Sequence, residues 1–143
     1  MNTPQITRAL TQIVGEKYVL SHPDDLRVYS YDASNNFAVP DFVVVPENAE
    51  QISSVVKLAR QHGLAIVPRG AGTGLCGAVT PIVGGIMVAF GRMKKIVEID
   101  YENRVAIVEA GLVNIDLRQR SPKRGTFTRP IPGRKPHLLS AGT

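Results

Sequence analysis

The sequence feature that most constrains the fold is a glycine-rich stretch that runs from Pro68 to Ala78. Its closely spaced glycines are Gly70, Gly72, Gly74 and Gly77. Apolar runs flank it, Ala65 to Val67 before and Ile86 to Phe90 after, and both are typical of buried strands. Glycine loses more backbone entropy on ordering than other residues, so an ordered loop of this kind needs a compensating interaction. Main-chain N–H groups that surround an anion such as a phosphate supply one, and a mobile surface loop is the alternative interpretation.

Two common phosphate-binding loops do not fit this stretch. A Rossmann loop opens directly into a helix, whereas the residues that follow, Ala78 to Gly85, contain Pro81 and a glycine pair and are not helical in character. A P-loop requires a Lys-Ser or Lys-Thr pair directly after its glycines, and this sequence has none there. The pattern therefore predicts a strand, a phosphate-binding loop and a second strand in another kind of fold.

The flanking residues predict a mixed arrangement of helices and strands. Helices are expected from Thr3 to Gly15 and from Asn48 to Gly63, with Asn48 as the N-cap and Gln51 as its capping-box partner. The expected strands are residues 41–46, 64–67, 85–90, 96–99 and 105–108, the last two joined by a hairpin turn at 100–103. Ligands of open α/β sheets bind at the carboxyl ends of parallel strands, which is where the glycine-rich stretch begins.

Three sets of side chains are expected to pack in the interior. In the second helix they are Ile52, Val55, Val56 and Leu58. In the polar, turn-rich segment 21–40 they are Tyr29 and Tyr31, which are expected to act as packing anchors. The helical face of residues 3–16 is formed by Ile6, Leu10, Ile13 and Val14.

The net charge of +5 is unevenly distributed. Seven of the 17 Lys and Arg residues lie in residues 118–143, which contain no Asp or Glu, so residues 1–117 carry a net charge of −2. Such a basic tail is typical either of an arm that binds nucleic acid or a membrane surface, or of a solvated, disordered end.

The single cysteine, Cys76, excludes an internal disulfide and fits a reducing compartment. No apolar run approaches the roughly 20 residues of a membrane span, and the polar N-terminus does not resemble a secretory signal.

From Asp41 to Leu117 the chain resembles the N-terminal part of the FAD-binding domain of PCMH-type flavoproteins, the vanillyl-alcohol-oxidase superfamily. Within that superfamily it is most similar to the flavin subunit of glycolate oxidase and to the FAD-linked D-lactate dehydrogenases. The matching positions are Pro46, Ala49–Ile52, Val67–Leu75, Gly84–Gly85, Met93, Ile99–Asp100, Val108–Gly111 and Asn114–Leu117. The resemblance implies an α+β fold, specifically the first α/β subdomain of the PCMH-type domain in incomplete form.

The resemblance also implies a cofactor and its site. The backbone amides of Arg69 to Leu75 would hold the pyrophosphate of FAD. The implied cofactor-binding residues are Pro68, Arg69, Gly70, Ala71, Gly72, Thr73, Gly74, Leu75 and Cys76. Cys76 stands where the family usually has a serine, and it either reaches the cofactor or fills a small buried space. Ala78 stands where a second glycine is usual. Some members attach flavin covalently to a histidine of this loop, but Thr73 lies near that position here, which implies non-covalent FAD.

The activity implied by the resemblance is oxidation of a small 2-hydroxy acid by hydride transfer to FAD. The family's substrate domain is absent from this chain, so no catalytic residue or metal ligand is assigned, and the chain alone is expected to be inactive. An iron–sulfur subunit or a second flavin subunit is a candidate partner, and nucleic acid is not expected. The location is expected to be cytoplasmic, with association to the inner face of the membrane left open. The alternative is a non-enzymatic binding module whose basic tail binds nucleic acid or a surface.

The expected organisation has three parts. Residues 1–40 form an N-terminal helix and a lead-in, residues 41–117 a partial FAD-binding domain, and residues 118–143 a basic, disordered tail. The family continues instead with a proline motif close to F-Y-P-P-D-P and, further on, a glycine pair. Read one nucleotide out of phase from the last base of the Leu117 codon, the degenerate codons of the tail permit A-A-A-V-A-K-A-G-H-F-Y-P-P-D-P. We therefore hypothesise a frameshift near Leu117, either in the gene or in its sequencing.

Overall fold

The computed structural model describes residues 3–34 and 36–120, which form a mixed α+β structure. The helices are α1 (Thr3–Val14), α2 (Pro23–Arg27), α3 (Ala49–His62) and α4 (Asn114–Arg120). The strands are β1 (Val19–Leu20), β2 (Phe42–Val44), β3 (Ile66–Arg69), β4 (Ile86–Ala89), β5 (Ile96–Asp100) and β6 (Val105–Val108). No helix in the described ranges is both long enough and apolar enough to cross a membrane.

Helix α3 begins and ends at the residues that the sequence predicts. The Asn48 side chain accepts a hydrogen bond from the Gln51 N–H at 2.9 Å, which satisfies one of the unpaired donors of the first turn. The Gln51 side chain reaches back to the N–H of Glu47, one residue before the cap, also at 2.9 Å. Gly63 ends the helix in the left-handed conformation, with φ of 64°. The predicted cap is therefore confirmed, and its reciprocal bond is displaced by one residue.

Four strands form the main sheet in the order β1-β2-β4-β3. The central strand β4 is parallel to both β2 and β3, while β1 runs antiparallel to β2 at the edge. Strands β2 and β3 are thus parallel to each other, and β4 lies between them. Since parallel neighbours bring their carboxyl ends to one edge, the glycine-rich stretch leaves the sheet beside the end of its central strand.

Both faces of the main sheet are covered by apolar side chains. On one face, Phe42, Val44, Ile86 and Val88 pack with Ile6, Leu10 and Val14 of α1 and with Val55 and Ala59 of α3. On the other face, Val43, Met87 and Ala89 pack with Leu26 of α2. The predicted apolar face of α1 is therefore confirmed, with Ile13 packed at its margin. This double coverage explains why β2 and β4 are continuous apolar runs.

Two predictions of buried side chains are wrong. Val56 is 44% exposed, because it follows buried Val55 by one residue and a helix turns its side chain away by about 100° over that step. Tyr31 is 55% exposed and pairs across an isolated antiparallel bridge with Phe37. Tyr29, in contrast, packs against the second face of the sheet as expected.

Helix α2 lies in the segment that the sequence predicted to be turns. His22 precedes it as an N-cap whose side chain accepts a hydrogen bond from Asp24 N–H, and Pro23 occupies its first position. Only Leu26 of this short helix is buried, so no apolar periodicity marks it. The hairpin of β5 and β6 is confirmed, with Ile99 opposite Ala106 and Asp100 opposite Val105.

Candidate phosphate-binding loop

The loop between β3 and β4 occupies residues 70–85. Strand β3 extends two residues further than predicted, so Pro68 and Arg69 belong to the strand and the loop proper begins at Gly70. The Phe90 N–H donates to the Arg69 carbonyl at 3.0 Å, which ties the exit of β4 to the entrance of the loop. The loop therefore starts from a fixed point at the carboxyl edge of the sheet.

The loop's glycines fall into two groups. Gly72 and Gly77 have φ of 67° and 69°, a region that favours glycine, so the backbone itself requires them. Gly70 and Gly74 do not have positive φ, and a Cβ added at either would meet no heavy atom within 4 Å. The chain's own structure therefore does not require glycine at positions 70 and 74. Both positions border open space at the edge of the sheet, where a side chain would take room from a ligand.

Main-chain donors in the loop are available to an anion. Within residues 3–34 and 36–120, the N–H groups of Ala71, Gly72, Gly74 and Leu75 donate no hydrogen bond. In the same loop the Gly74 carbonyl does have a partner, since it accepts from the Ala33 N–H at 3.2 Å. Unpaired N–H groups along a turn of glycines form the type of concavity that holds phosphate groups. The residues predicted to bind the cofactor thus remain a prediction, and the geometry of the loop is compatible with it.

The Arg69 side chain folds back beneath the loop and is 9% exposed. Its Nη1 donates a hydrogen bond to the Tyr31 carbonyl at 2.8 Å. Its guanidinium lies 5.7 Å from the centre of the Tyr29 ring, within the range of a cation–π interaction. A Cβ at Gly72 would collide with Nη2 and lie 2.6 Å from Cζ of this side chain. Arg69 was predicted for its backbone amide alone, and the position of its side chain was not anticipated.

A short segment from Tyr29 to Ser34 faces the loop and brings an acidic group to Arg69. Asp32 is 8% exposed, and its Oδ1 accepts from the Ser34 N–H at 2.8 Å. Its Oδ2 is buried with no hydrogen-bond partner among the described residues. The hydrogen bonds from Ser34, and the positive charge of Arg69, lower the pKa of Asp32, so the group is a carboxylate at neutral pH. Sequence reasoning missed Asp32; the Asp-x-Ser spacing of an Asx turn is the one signal that marks it.

The end of the loop is fixed by a second carboxylate. The Asp41 side chain accepts from the Gly85 N–H at 2.7 Å. Gly84 and Gly85 have φ of 70° and 92°, and the Ile86 N–H donates to the Ala65 carbonyl at 2.8 Å. The glycine pair therefore lets β4 enter the sheet directly against β3. Asp41 was predicted as the first residue of a strand and has this anchoring role in addition.

Two further predicted residues are placed by the structure. Cys76 is exposed, so the interpretation as a small buried filler is wrong and its thiol is open to a ligand. Gly77, one residue on, packs against Asn36, because a Cβ there would lie 2.5 Å from the Asn36 amide nitrogen. Among the described residues no group of His, Cys, Asp and Glu could hold a metal ion.

With this geometry established, comparison with known proteins identifies the family. A family model described as "FAD binding domain" matches residues 40–142. The chain belongs to this family of FAD-binding domains. The match includes most of the basic tail, of which the structure describes residues 118–120 as the end of α4. FAD is the cofactor of the family, and the open positions at Gly70 and Gly74 together with the unpaired amides are compatible with its diphosphate.

The curated relatives include proteins named as oxidases and dehydrogenases. The chain is 36% identical over 133 residues to the glycolate oxidase subunit GlcD of Bacillus subtilis (strain 168), covering 92% of this chain and 28% of that protein. It is 32% identical over 128 residues to the D-2-hydroxyglutarate dehydrogenase of Stutzerimonas stutzeri (strain A1501), covering 89% of this chain and 28% of that protein. It is 37% identical over 98 residues to the D-lactate dehydrogenase of Anaerostipes hadrus, covering 68% of this chain and 21% of that protein. The chain thus spans less than a third of the length of these relatives.

Solved structures share the fold. Alkyldihydroxyacetonephosphate synthase superposes with a TM-score of 0.71 at 20% identity, covering 81% of this chain and 26% of that one. Substrate-bound p-cresol methylhydroxylase superposes with a TM-score of 0.69 at 25% identity, covering 81% of this chain and 24% of that one. The expected α+β fold of the PCMH-type FAD-binding domain is therefore confirmed, and the chain corresponds to about a quarter of each structure.

Proposed function

We propose that this chain supplies the diphosphate-binding part of an FAD-dependent oxidoreductase that acts on a small 2-hydroxy acid. Glycolate, D-lactate and D-2-hydroxyglutarate, the compounds in the names of the three relatives, share a hydroxyl group on the carbon next to a carboxylate. The substrate class is inferred from that common chemistry. FAD, when bound, accepts the hydride that such a substrate loses from the hydroxyl-bearing carbon.

The observation that carries the proposal is the contrast between the loop's glycines. Gly72 and Gly77 are explained by backbone conformation, but Gly70 and Gly74 have no intramolecular reason to lack a side chain. A ligand that approaches the main chain closely accounts for both positions. The unpaired N–H groups of the loop would then donate to the two phosphates of FAD, the largest concentration of negative charge on that cofactor.

The chain's own residues bind and orient the cofactor in this proposal, and they do not perform the chemistry. Thr73 stands near the position from which other members attach flavin covalently, so the FAD is held non-covalently. Cys76 is exposed at the end of the loop, where its thiol can reach the cofactor. The base that removes the hydroxyl proton is not assigned to any residue that the structure describes.

We infer that the chain alone retains FAD weakly and does not turn over a hydroxy acid. The chain spans less than a third of the length of the relatives that it matches, and in this proposal further parts of such a protein complete the cofactor site. Apolar side chains of the β5–β6 hairpin are also unusually exposed: Val97, Val105 and Ile107 are 67%, 52% and 51% exposed. The word "subunit" in the name of the glycolate oxidase relatives favours further subunits, of iron–sulfur or flavin type, in the complete enzyme.

The experiment that tests the loop assignment is substitution of Gly74 by alanine. The added methyl group meets no atom of the chain, so folding stability should stay the same or rise by up to about 1 kcal/mol. FAD affinity should fall at least about tenfold, because the methyl group would project into the space of the diphosphate. The change is measured by flavin fluorescence titration, with urea unfolding in parallel.

Gly91→Ala is the matched control. Gly91 is also exposed and also has no atom within 4 Å of an added Cβ, but it lies in the turn after β4, outside the loop. Its substitution should leave FAD affinity unchanged. Equal affinities for the wild-type chain, Gly74→Ala and Gly91→Ala would contradict the assignment of the diphosphate to this loop.

The charge asymmetry favours one second candidate, a binding module whose functional part is the tail at residues 118–143. Binding of nucleic acid by that tail would weaken steeply with salt, because counterions are released on association. An electrophoretic mobility assay at two salt concentrations separates the candidates. A retarded band that disappears at high salt would support the module, and its absence at low salt would refute it.

A further inference from the structure

We propose that Arg69 and Asp32 are positioning residues that hold the phosphate-binding loop in its open shape before the cofactor arrives. This inference rests on the proposed assignment of the FAD diphosphate to the loop. It goes beyond that assignment, which uses only main-chain amides, because it gives the two side chains a role of their own. Neither side chain touches the reacting atoms in this account.

The first step is the place that the Arg69 side chain occupies. It is buried although arginine is almost never fully buried without partners. It fills the space directly beneath Gly72, so closely that a Cβ at that residue would collide with its guanidinium. The glycine with positive φ at the centre of the loop therefore rests on this group. If the guanidinium were removed, the turn at Gly72 would lose the surface that supports it.

The second step is that the support is tied to a separate part of the chain. Arg69 Nη1 donates to the Tyr31 carbonyl, a contact that spans 38 residues of sequence. Two residues further on, the Ala33 N–H donates to the Gly74 carbonyl. The loop is thus linked to the segment from Tyr31 to Ala33 on both sides of Gly72. Two bonds of this kind restrict the loop without using the N–H groups of Gly72 and Gly74.

The third step is the electrostatic balance. A buried carboxylate is costly unless a positive group or hydrogen bonds compensate it. Asp32 has one buried oxygen without a hydrogen-bond partner among the described residues, and the Arg69 guanidinium is bonded to the carbonyl of Tyr31, the residue before Asp32. In this proposal the negative charge of Asp32 adds to the bond with the Tyr31 carbonyl and favours the buried position of Arg69 over one extended into solvent. The alternative is that Asp32 only repels the cofactor, since a carboxylate near a diphosphate opposes anion binding. Neutralising Asp32 would then raise FAD affinity, whereas it lowers FAD affinity if Asp32 positions Arg69.

The test uses the full chain with two variants and two controls. Asp32→Asn removes the charge with little change of shape, and Arg69→Lys keeps the charge but loses the forked guanidinium. Asp25→Asn and Arg27→Lys make the same chemical changes at exposed positions of α2. Hydrogen exchange of the Ala33 amide is measured without FAD, together with that of Met87 in the central strand. FAD affinity is then measured by fluorescence titration.

We expect Ala33 exchange to accelerate at least tenfold in both variants while Met87 exchange and both controls stay at the wild-type rate. FAD affinity should fall at least fivefold in both variants. A merely structural role would instead accelerate Ala33 and Met87 together, and that result would overturn the proposal. Unchanged Ala33 exchange would also overturn it, as would tighter FAD binding by Asp32→Asn. If Asp32→Asn does not fold, as judged by circular dichroism, Arg69→Lys decides the outcome by the same criteria.

The same measurements keep this inference apart from the proposed function. If the wild-type chain and Gly91→Ala show no saturable FAD titration, the loop assignment fails, and the positioning role in cofactor binding fails with it. If FAD binds and Gly74→Ala weakens it, but Ala33 exchange is insensitive to Arg69→Lys, the loop assignment stands and only the positioning role is refuted.

Discussion

Gly85 offers the sharpest test of how the sheet is built around the loop. It has φ of 92°, and a Cβ there would lie 2.9 Å from the Ala65 carbonyl carbon and closer still to its oxygen. That oxygen is the acceptor of the Ile86 N–H at 2.8 Å, the bond that starts the pairing of β4 with β3. Substitution of Gly85 by alanine therefore strains the backbone and also separates the two strands.

The cost can be worked out from these contacts. A left-handed conformation costs a non-glycine residue about 1–2 kcal/mol. Carbon atoms need about 3.5–4.0 Å of separation, so β3 must retreat by at least about 0.6 Å, and overpacking of this kind costs about 1–3 kcal/mol. Weakening of the Ile86 hydrogen bond adds about 1 kcal/mol. We expect Gly85→Ala to lower the free energy of unfolding by about 4 kcal/mol, a large part of the roughly 5–15 kcal/mol of a typical domain.

Urea unfolding followed by circular dichroism measures this loss, and Gly63→Ala is the control. Gly63 has φ of 64°, but a Cβ there would meet no atom within 4 Å, so only the conformational cost applies. The control should lose about 1–2 kcal/mol. If the two variants lose equal free energy, the contact with Ala65 has no energetic weight, and the argument that a side chain at Gly85 would separate β4 from the start of β3 is refuted.

Three further predictions follow from the structure. Arg92→Met should lower the free energy of unfolding, measured in urea, by about 1–3 kcal/mol. Arg92 stacks 3.6 Å from the Tyr18 ring centre, donates to the Val45 carbonyl at 3.2 Å and pairs with Glu47, and the variant loses all three contacts. An unchanged urea midpoint would contradict this prediction. Since the pKa of Asp32 is lowered in the folded chain, its ionised form stabilises the fold at neutral pH, and this contribution is lost as the pH falls below about 4. The difference in unfolding free energy between the wild-type chain and Asp32→Asn should therefore shrink between pH 7 and pH 3. A constant difference would refute the argument. The nucleotide sequence from the last base of the Leu117 codon should spell the family's continuation A-A-A-V-A-K-A-G-H-F-Y-P-P-D-P one base out of phase. In the same phase, the codons from Ser140 to Gly142 permit the family's glycine pair. Bases that cannot spell the continuation would exclude the frameshift.

Local chemistry explains what could be predicted from the sequence. The cap and end of α3 depend on residues that are close together in the chain. Asn48 and Gly63 have the predicted roles, and Gln51 bonds the N–H one residue before the predicted one. The hairpin of β5 and β6 is equally local. The apolar runs of β2 and β4 identified buried strands, because a strand covered on both faces has little alternation.

Long-range contacts explain what could not be predicted. The insertion of β4 between β2 and β3 depends on pairing across dozens of residues, and apolar runs do not specify neighbours. The contact of Arg69 with Tyr31 depends on that same topology, so a residue predicted for its amide also has a buried side chain. Helix α2 was missed because its residues are mostly polar, with Leu26 as the one buried member.

The late position of β4 in the chain has a consequence for synthesis. Strands β2 and β3 leave the ribosome before the strand that joins them, so their facing edges stay unsatisfied until residue 89 has emerged. A nascent chain stalled within residues 70–85 would carry two apolar strands with no shared neighbour and would be open to proteases and to association with other chains. The sheet is therefore completed only after the loop at residues 70–85 has emerged, because that loop connects β3 to β4.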